Sequence, residues 1–383
     1  MRDTTQGDPR DQAEGAIYAP IPEKPHRAWW KQAISIGVTV LVLVIVFGFV
    51  LPKLADYEAI LDYIGAITTR EWWVLAVLAL WFLLAYPIVL TQTLRTLPVR
   101  EAFVNHMTGT AITNSVPSGG ALALPVNYAI YMSWGFTPES ISAAMLGAGV
   151  WDWLLRISLP VIAVIGVAVI GGALGWMWLV SIGGTVAVAV MIVVLKRILG
   201  REQDARRLAQ WADRMGAHAF RLIKRDKPGI ETAVMQFRTD LTSIVRSRAS
   251  RITIATIGNH VAMASLFAVS VYAVGVTTEE IPIPWVVFAF ALGRFLVMIP
   301  VSPGGLGLVD LGWIGLLTLG WQTTNPGLPV DHNLISAGVL LFRALSFLPP
   351  IPIGMASWLF WRANGSWRLD WQEAQRGRAH AQP

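Results

Sequence analysis

The sequence contains no cysteine. Disulfides, thiolate metal sites and cysteine nucleophiles are excluded at once. Charge is scarce as well: only 14% of the 383 residues are Asp, Glu, Lys or Arg, against roughly a quarter in an ordinary soluble domain. There is no HExxH, no P-loop, no GxSxG and no spaced histidine cluster, so the usual hydrolase and nucleotide signatures are missing. An enzyme is not expected, nor is a resident metal or other cofactor. An intramembrane enzyme using Asp152 or Asp310 stays open in principle, but no partnered nucleophile stands beside either. Residues 1–28 carry no signal-peptide pattern; they are polar, mixed in charge and Pro-containing, and are expected to be a disordered cytoplasmic N-terminus.

What the chain has in quantity is apolar length. Hydrophobic residues make up 54%, and the mean hydropathy is +0.54. Runs of about 20 apolar residues, enough for a helix to cross a bilayer, occur at 29–51, 72–94, 140–167, 173–195, 252–275 and 334–361. Many of the 18 tryptophans sit near run ends, as Trp29, Trp30, Trp72, Trp73, Trp358 and Trp361 do, where interfacial anchoring places them. The net charge of +6 is concentrated: residues 196–251 hold 14 Lys/Arg and 6 Asp/Glu. Such a loop belongs on the cytoplasmic side, beside anionic headgroups, and does not point to nucleic acid. Two amphipathic stripes fit it as a helical hairpin. Leu208, Trp211, Met215 and Leu222 form one; Ile230, Val234, Phe237, Leu241 and Ile244 form the other; Lys227-Pro228-Gly229 is the turn.

Two weaker regions carry breakers. The first, 101–134, is interrupted by Val116-Pro117-Ser118-Gly119-Gly120; the second contains Val301-Ser302-Pro303-Gly304-Gly305-Leu306-Gly307. Downstream, LLRISLP at 154–160 answers LLFRALSFLP at 340–349. Gly120 precedes Arg156 by 36 residues and Gly305 precedes Arg343 by 38. These spacings read as two related halves, 70–195 and 252–361, with a polar tail at 362–383. Counting crossings from the cytoplasmic loop makes spans 72–94 and 252–275 run in opposite directions, with both termini inside and Arg95 and Arg100 cytoplasmic. That is an inverted-topology repeat, common in transporters. The arms around each breaker are too short to cross singly, and the first is polar, with Asn105, His106, Thr108, Thr110, Thr113 and Asn114. The expected fold is therefore an all-α integral membrane protein: six full transmembrane helices plus two re-entrant helical hairpins. A ten-span arrangement keeps the same charge parity and stays open. Irregular backbone at membrane depth belongs inside protein or beside a wet cavity, and the helix N-terminus after each breaker suits an anion.

Ionisable residues inside such segments are functional candidates. Asp152 and Arg156 share a helix face at i, i+4; Arg294 precedes the second breaker, Asp310 follows it, and Arg343 lies on the last span. Either the arginines contact a headgroup phosphate, or Asp152–Arg156 and Asp310 with Arg294 or Arg343 are packing ion pairs. Asn114, Asn127, Asn259 and His260 read first as helix-to-helix hydrogen bonders, with Asn127 also a candidate headgroup contact beside Pro117, Ser118, Gly119 and Gly120. In the second half the matching set is Ser302, Pro303, Gly304, Gly305 and Gly307.

PGGLGLVD at 303–310, VPSGGALAL at 116–124 and LGAGVWDWLLR at 146–156 resemble the flippase-like transmembrane domain of the lysylphosphatidylglycerol synthase family, over roughly residues 30–362. In that family the PGG-x-G motif usually ends in glutamate, where Asp310 stands here, and a charged pair often precedes the first acid, where Trp151 stands here. The resemblance implies translocation of an anionic or modified lipid headgroup between leaflets of the cell membrane, the partner being a phospholipid or a polyprenyl-phosphate-linked glycolipid. The cytosolic aminoacyl-transferase domain of the bifunctional members is not expected in a chain that ends at 383. The alternative is a non-transporting subunit that holds lipid for a separate synthase or glycosyltransferase.

Overall fold

The computed structural model describes residues 56–94, 96–115, 119–200, 202–207, 210, 230–297 and 305–367. Their regular structure is helical throughout, in the order α1 Tyr57–Gly65, α2 Thr69–Thr93, α3 Val99–Ser115, α4 Gly119–Ser133, α5 Pro138–Val169, α6 Gly175–Leu199, α7 Ile230–Ala273, α8 Ile283–Leu296, α9 Leu308–Thr324, α10 His332–Phe347 and α11 Pro350–Ala363. Among the described residues, five segments are long and apolar enough to cross a membrane: Thr69–Thr93, Ser140–Val169, Gly175–Leu199, Arg248–Ala273 and His332–Ala363. The chain is thus an all-helical, multi-pass membrane type. The expected span 29–51, Arg95, the stripe Leu208–Leu222 and the turn at 227–229 lie outside the described residues, as do the side chains of the second stripe.

Local chemistry sets the helix starts. Thr68 and Glu71 form a capping box at α2: Glu71 Oε2 accepts from the Thr68 N–H at 2.8 Å, and the Thr68 hydroxyl accepts from the Glu71 N–H at 3.4 Å. Thr137 caps α5, with Pro138 in the first turn, and Asp331 caps α10 by accepting from Leu334 N–H at 2.9 Å. Two expectations change. The span at 252–275 is not separate from the amphipathic segment before it; both belong to the 44-residue α7, roughly 66 Å long at 1.5 Å per residue. The run 334–361 is likewise not one helix. It breaks into α10 and α11 at Pro349-Pro350, where two prolines remove successive backbone donors.

Packing is reciprocal between the halves. α2 lies along α7, α3 along α11, and α8 along α5. Arg248 Nη1 donates to Thr91 O at 3.4 Å, near the start of the apolar part of α7 and the end of α2, so these two run antiparallel. Glu101 on α3 accepts from Trp367 beyond α11, while Asn114 at the other end of α3 donates to Phe347 O at 3.1 Å. On the opposite side, Gly166 and Gly172 at the end of α5 meet Pro284 and Trp285 at the start of α8. Each hairpin's first arm therefore lies antiparallel to a helix that follows the hairpin of the other half, α3 to α11 and α8 to α5. Gly354 is the contact point of α11: a Cβ there would run into the Met107 carbonyl.

The densest core belongs to the second half. Trp313, Phe267 and Phe342 are fully buried and interlock, with ring centroids 5.1 to 5.3 Å apart. α6 is the opposite case. Leu179, Ile182, Val186 and Val190 are all exposed, as a lipid-facing helix requires.

Candidate functional site

A cavity of about 410 Å³ lies among α2, α3, α4, α5, α7 and α8. Its floor is apolar, with Phe82, Leu90 and Met263; its polar groups come from five helices. Asp152 and Arg156 project from α5, one turn apart, with Arg156 Nε 2.6 Å from Asp152 Oδ2. Arg294 enters from the end of α8, 8% exposed, and its Nε has no hydrogen-bond partner among the described residues. Asn127 on α4 reaches the cavity too; its backbone carbonyl accepts from Asn105 Nδ2 at 2.9 Å, and its Oδ1 is buried without a partner among the described residues. Gly109 lets Asn127 come this close to α3, since a Cβ there would stand 2.7 Å from the amide. Gly120 lines the cavity from the first turn of α4, where backbone N–H groups and the helix dipole present partial positive charge.

Register is held by one bond next to the acid. Trp151 Nε1 donates to Thr253 Oγ1 at 2.8 Å, tying α5 to α7. Two turns along α7 from Thr253, His260 then faces the carboxylate, its Nε2 3.5 Å from Asp152 Oδ1. Tyr86 on α2 and His106 on α3 stack at 4.6 Å between ring centroids and complete the wall. Two guanidinium groups and one carboxylate therefore border the cavity, a formal charge of +1. Thr110 and Thr113 add little, because each hydroxyl donates to its own helix four residues back.

The rim differs from the floor. α4 is joined to α5 at its C-terminal end, by the 2.7 Å Tyr128–Ser142 hydroxyl bond and an apolar cluster containing Tyr131, Ile141 and Ala144. At its N-terminal end Gly120, Leu122 and Leu124 are exposed, and so is Trp153 across from them on α5. Gly120 and Leu124 line the cavity together with Arg156.

Of the residues singled out from sequence, the structure brings together Gly120, Asn127, Asp152, Arg156 and Arg294. Gly119 sits beside them, packed on α3 at the hairpin tip. Gly305, Gly307, Asp310 and Arg343 do not line this cavity. They form a second, closed assembly. Gly305 and Gly307 have φ of +74° and +87°, which glycine adopts at no cost. The Gly307 N–H donates to Asp310 Oδ2 at 2.9 Å, Asp310 Oδ1 accepts from Arg343 Nε, and the Arg343 guanidinium stacks over Trp313 at 4.8 Å. Asp310 thus pairs with Arg343, one of the two pairings the sequence left open. Pro117, Ser118, Ser302, Pro303 and Gly304 lie outside the described residues. Tyr86, Asn105, His106 and Gly109 escaped selection as ligand candidates, although a tyrosine within an apolar run was a visible signal at position 86. Asn114 does bond helix to helix; His260 Nδ1 is satisfied within α7 by Thr256 O at 3.0 Å, while its Nε2 faces Asp152 on α5. Among the described residues no His, Asp and Glu group could hold a metal ion.

No protein-family model matches the chain, and no curated protein matches it.

Proposed function

We propose that the protein is a lipid flippase-like transporter that moves an anionic, glycosylated or aminoacylated lipid headgroup between the leaflets of the cell membrane. The observation that carries this reading is the cavity with two arginines, Arg156 and Arg294, facing a single carboxylate, Asp152. Its volume of about 410 Å³ falls in the range of small-ligand sites and suits a phosphate-bearing headgroup. The exposed seam between the N-terminal part of α4 and α5 supports lateral entry, with acyl chains left in lipid. Motif likeness to the flippase-like domain of the lysylphosphatidylglycerol synthase family supports the same substrate class.

The proposed membrane arrangement has six crossings, residues 29–51 adding one to the five long apolar segments, and two re-entrant hairpins, α3–α4 and α8–α9. Helices of 14 to 17 residues reach only about 21–26 Å, short of the ~30 Å hydrocarbon core. The antiparallel run of α2 and α7, with the crosswise packing of α3 on α11 and α8 on α5, supports an inverted-topology repeat, and the basic stretch 196–251 supports cytoplasmic termini. Transfer of a fluorescent phosphatidylglycerol across vesicles containing the purified protein tests the reading. Arg156→Gln and Arg294→Gln are each expected to slow transfer at least tenfold with folding unchanged; transfer at the wild-type rate in both would overturn it.

A further inference from the structure

We infer that Asp152 and His260 form a proton-binding site coupled to the anion cavity, so that the protein takes up one proton with each anion it holds. The inference rests on the anion reading above and extends it to a co-transported ion.

The geometry begins with the imidazole. His260 Nδ1 lies 3.0 Å from the Thr256 carbonyl oxygen, which can only accept, so Nδ1 carries the ring hydrogen. Nε2 of the neutral ring then offers a lone pair. That atom is buried and has no hydrogen-bond partner among the described residues, on a side chain only 3% exposed. The acid oxygen it faces is Asp152 Oδ1, at 3.5 Å. A lone pair opposite a carboxylate oxygen is repulsive, and buried polar atoms are nearly always bonded. One proton between these two atoms would satisfy both.

Charge explains when that proton enters. The groups facing the pair are Arg156 on α5, Arg294 on α8, Tyr86 on α2, His106 on α3 and Asn259 on α7; beyond Arg294, Asp310 and Arg343 neutralise each other. In the empty cavity Arg156 occupies Asp152, and the net charge is +1 from two arginines and one aspartate. A singly charged anion bound by Arg156 and Arg294 draws Arg156 off the carboxylate. Asp152 would then be a bare buried charge beside a second anion, which is costly. A proton from water, held between Asp152 Oδ1 and His260 Nε2, replaces Arg156 as its partner and restores the net charge to +1. Linkage makes the effect mutual: the anion favours the proton and the proton favours the anion by the same factor.

The test uses full-length protein in nanodiscs and a short-chain phosphatidylglycerol, a phosphodiester whose own charge is constant where imidazole and carboxylate titrate. Wild-type apparent affinity is expected to fall about tenfold per pH unit above the midpoint of the pair. A pH dye in weak buffer should register about one proton taken up per lipid bound. His260→Gln should bind lipid with less than a twofold change per pH unit and no uptake. Binding without a pH slope in wild type overturns the inference alone, as does an unchanged slope and uptake in His260→Gln. If His260→Gln misfolds, proton uptake by the wild type decides: none on lipid binding overturns the inference. No binding by wild type at any pH overturns the anion cavity, and the proton site with it.

Discussion

The two breaker-containing hairpins repeat the same plan, a short helix, a Gly-rich tip, a second short helix and an arginine on the next long helix, yet they are packed in opposite ways. In the second half, Arg343 lies over Trp313, which packs with Phe342 and Phe267, and Asp310 is buried. In the first, the cavity is bordered by Gly109, Thr110, Thr113, Ala123 and Asn127. Bulk makes the difference. Aromatic side chains pack beside the second acid–arginine pair, while small and polar ones border the cavity at the first. A buried acid–arginine pair is accordingly closed off from the cavity in one half and lines it in the other, where the proposed function makes it part of an anion site.

That contrast can be broken most sharply at the acids. Asp310→Asn should leave the Arg343 guanidinium buried without its carboxylate and cost about 3–5 kcal/mol, read as a large fall in the thermal midpoint of the detergent-solubilised protein. Asp152→Asn should cost less, about 1 kcal/mol, because the side chains of Asp152 and Arg156 are 13% and 21% exposed against 3% and 11% for Asp310 and Arg343. Equal losses would mean both pairs are clamps. Gly293→Ala sharpens the packing side: a Cβ there collides with the Trp313 indole, and overpacking of this kind costs about 1–3 kcal/mol with no direct effect on lipid selectivity. Trp151→Phe removes the bond to Thr253 that sets Asp152 against His260. It should cost about 1 kcal/mol and weaken anion binding more than stability, measured by lipid binding beside thermal unfolding.

The smallest effect lies outside both sites. Tyr63 on α1 donates to Asp331 Oδ2 at 2.5 Å, and this hydrogen bond, then burial and the carboxylate's charge, hold the phenol above its ordinary value. Because the folded value is raised, the contribution is complete below the ordinary phenol range and is lost as pH rises through the raised one. Tyr63→Phe should lower stability by no more than about 0.5 kcal/mol at neutral pH, and the difference from wild type should vanish in strong alkali.

Much of this was legible beforehand. The tips at Gly119-Gly120 and Gly305 mark hairpins because glycine and proline interrupt helices whatever their surroundings, and Asp152, Arg156 and Arg294 stand out because charge inside apolar runs demands a partner. The continuity of α7 through Arg246, Arg248 and Arg251 was not legible. Arginine ends a hydropathy run but is a good helix former, so the apolar boundary and the helix boundary differ. The break at Pro349-Pro350 was in plain view, yet the apolar run passes over it. Which arginine faces a cavity and which is stacked on Trp313 depends on distant helices, and single-chain spacing treats Arg156 and Arg343 alike. Tyr86, Asn105 and His106 join the site only because α2 and α3 converge on α5.

The central claim is that the cavity with Arg156 and Arg294 holds an anionic lipid headgroup. Native mass spectrometry of the gently extracted protein, followed by identification of the lipids that remain bound, tests it most directly. One anionic or glycosylated lipid should be enriched over the bulk membrane and should be lost in Arg156→Gln and Arg294→Gln. A lipid profile matching the bulk membrane, unaltered by either substitution, would contradict the account.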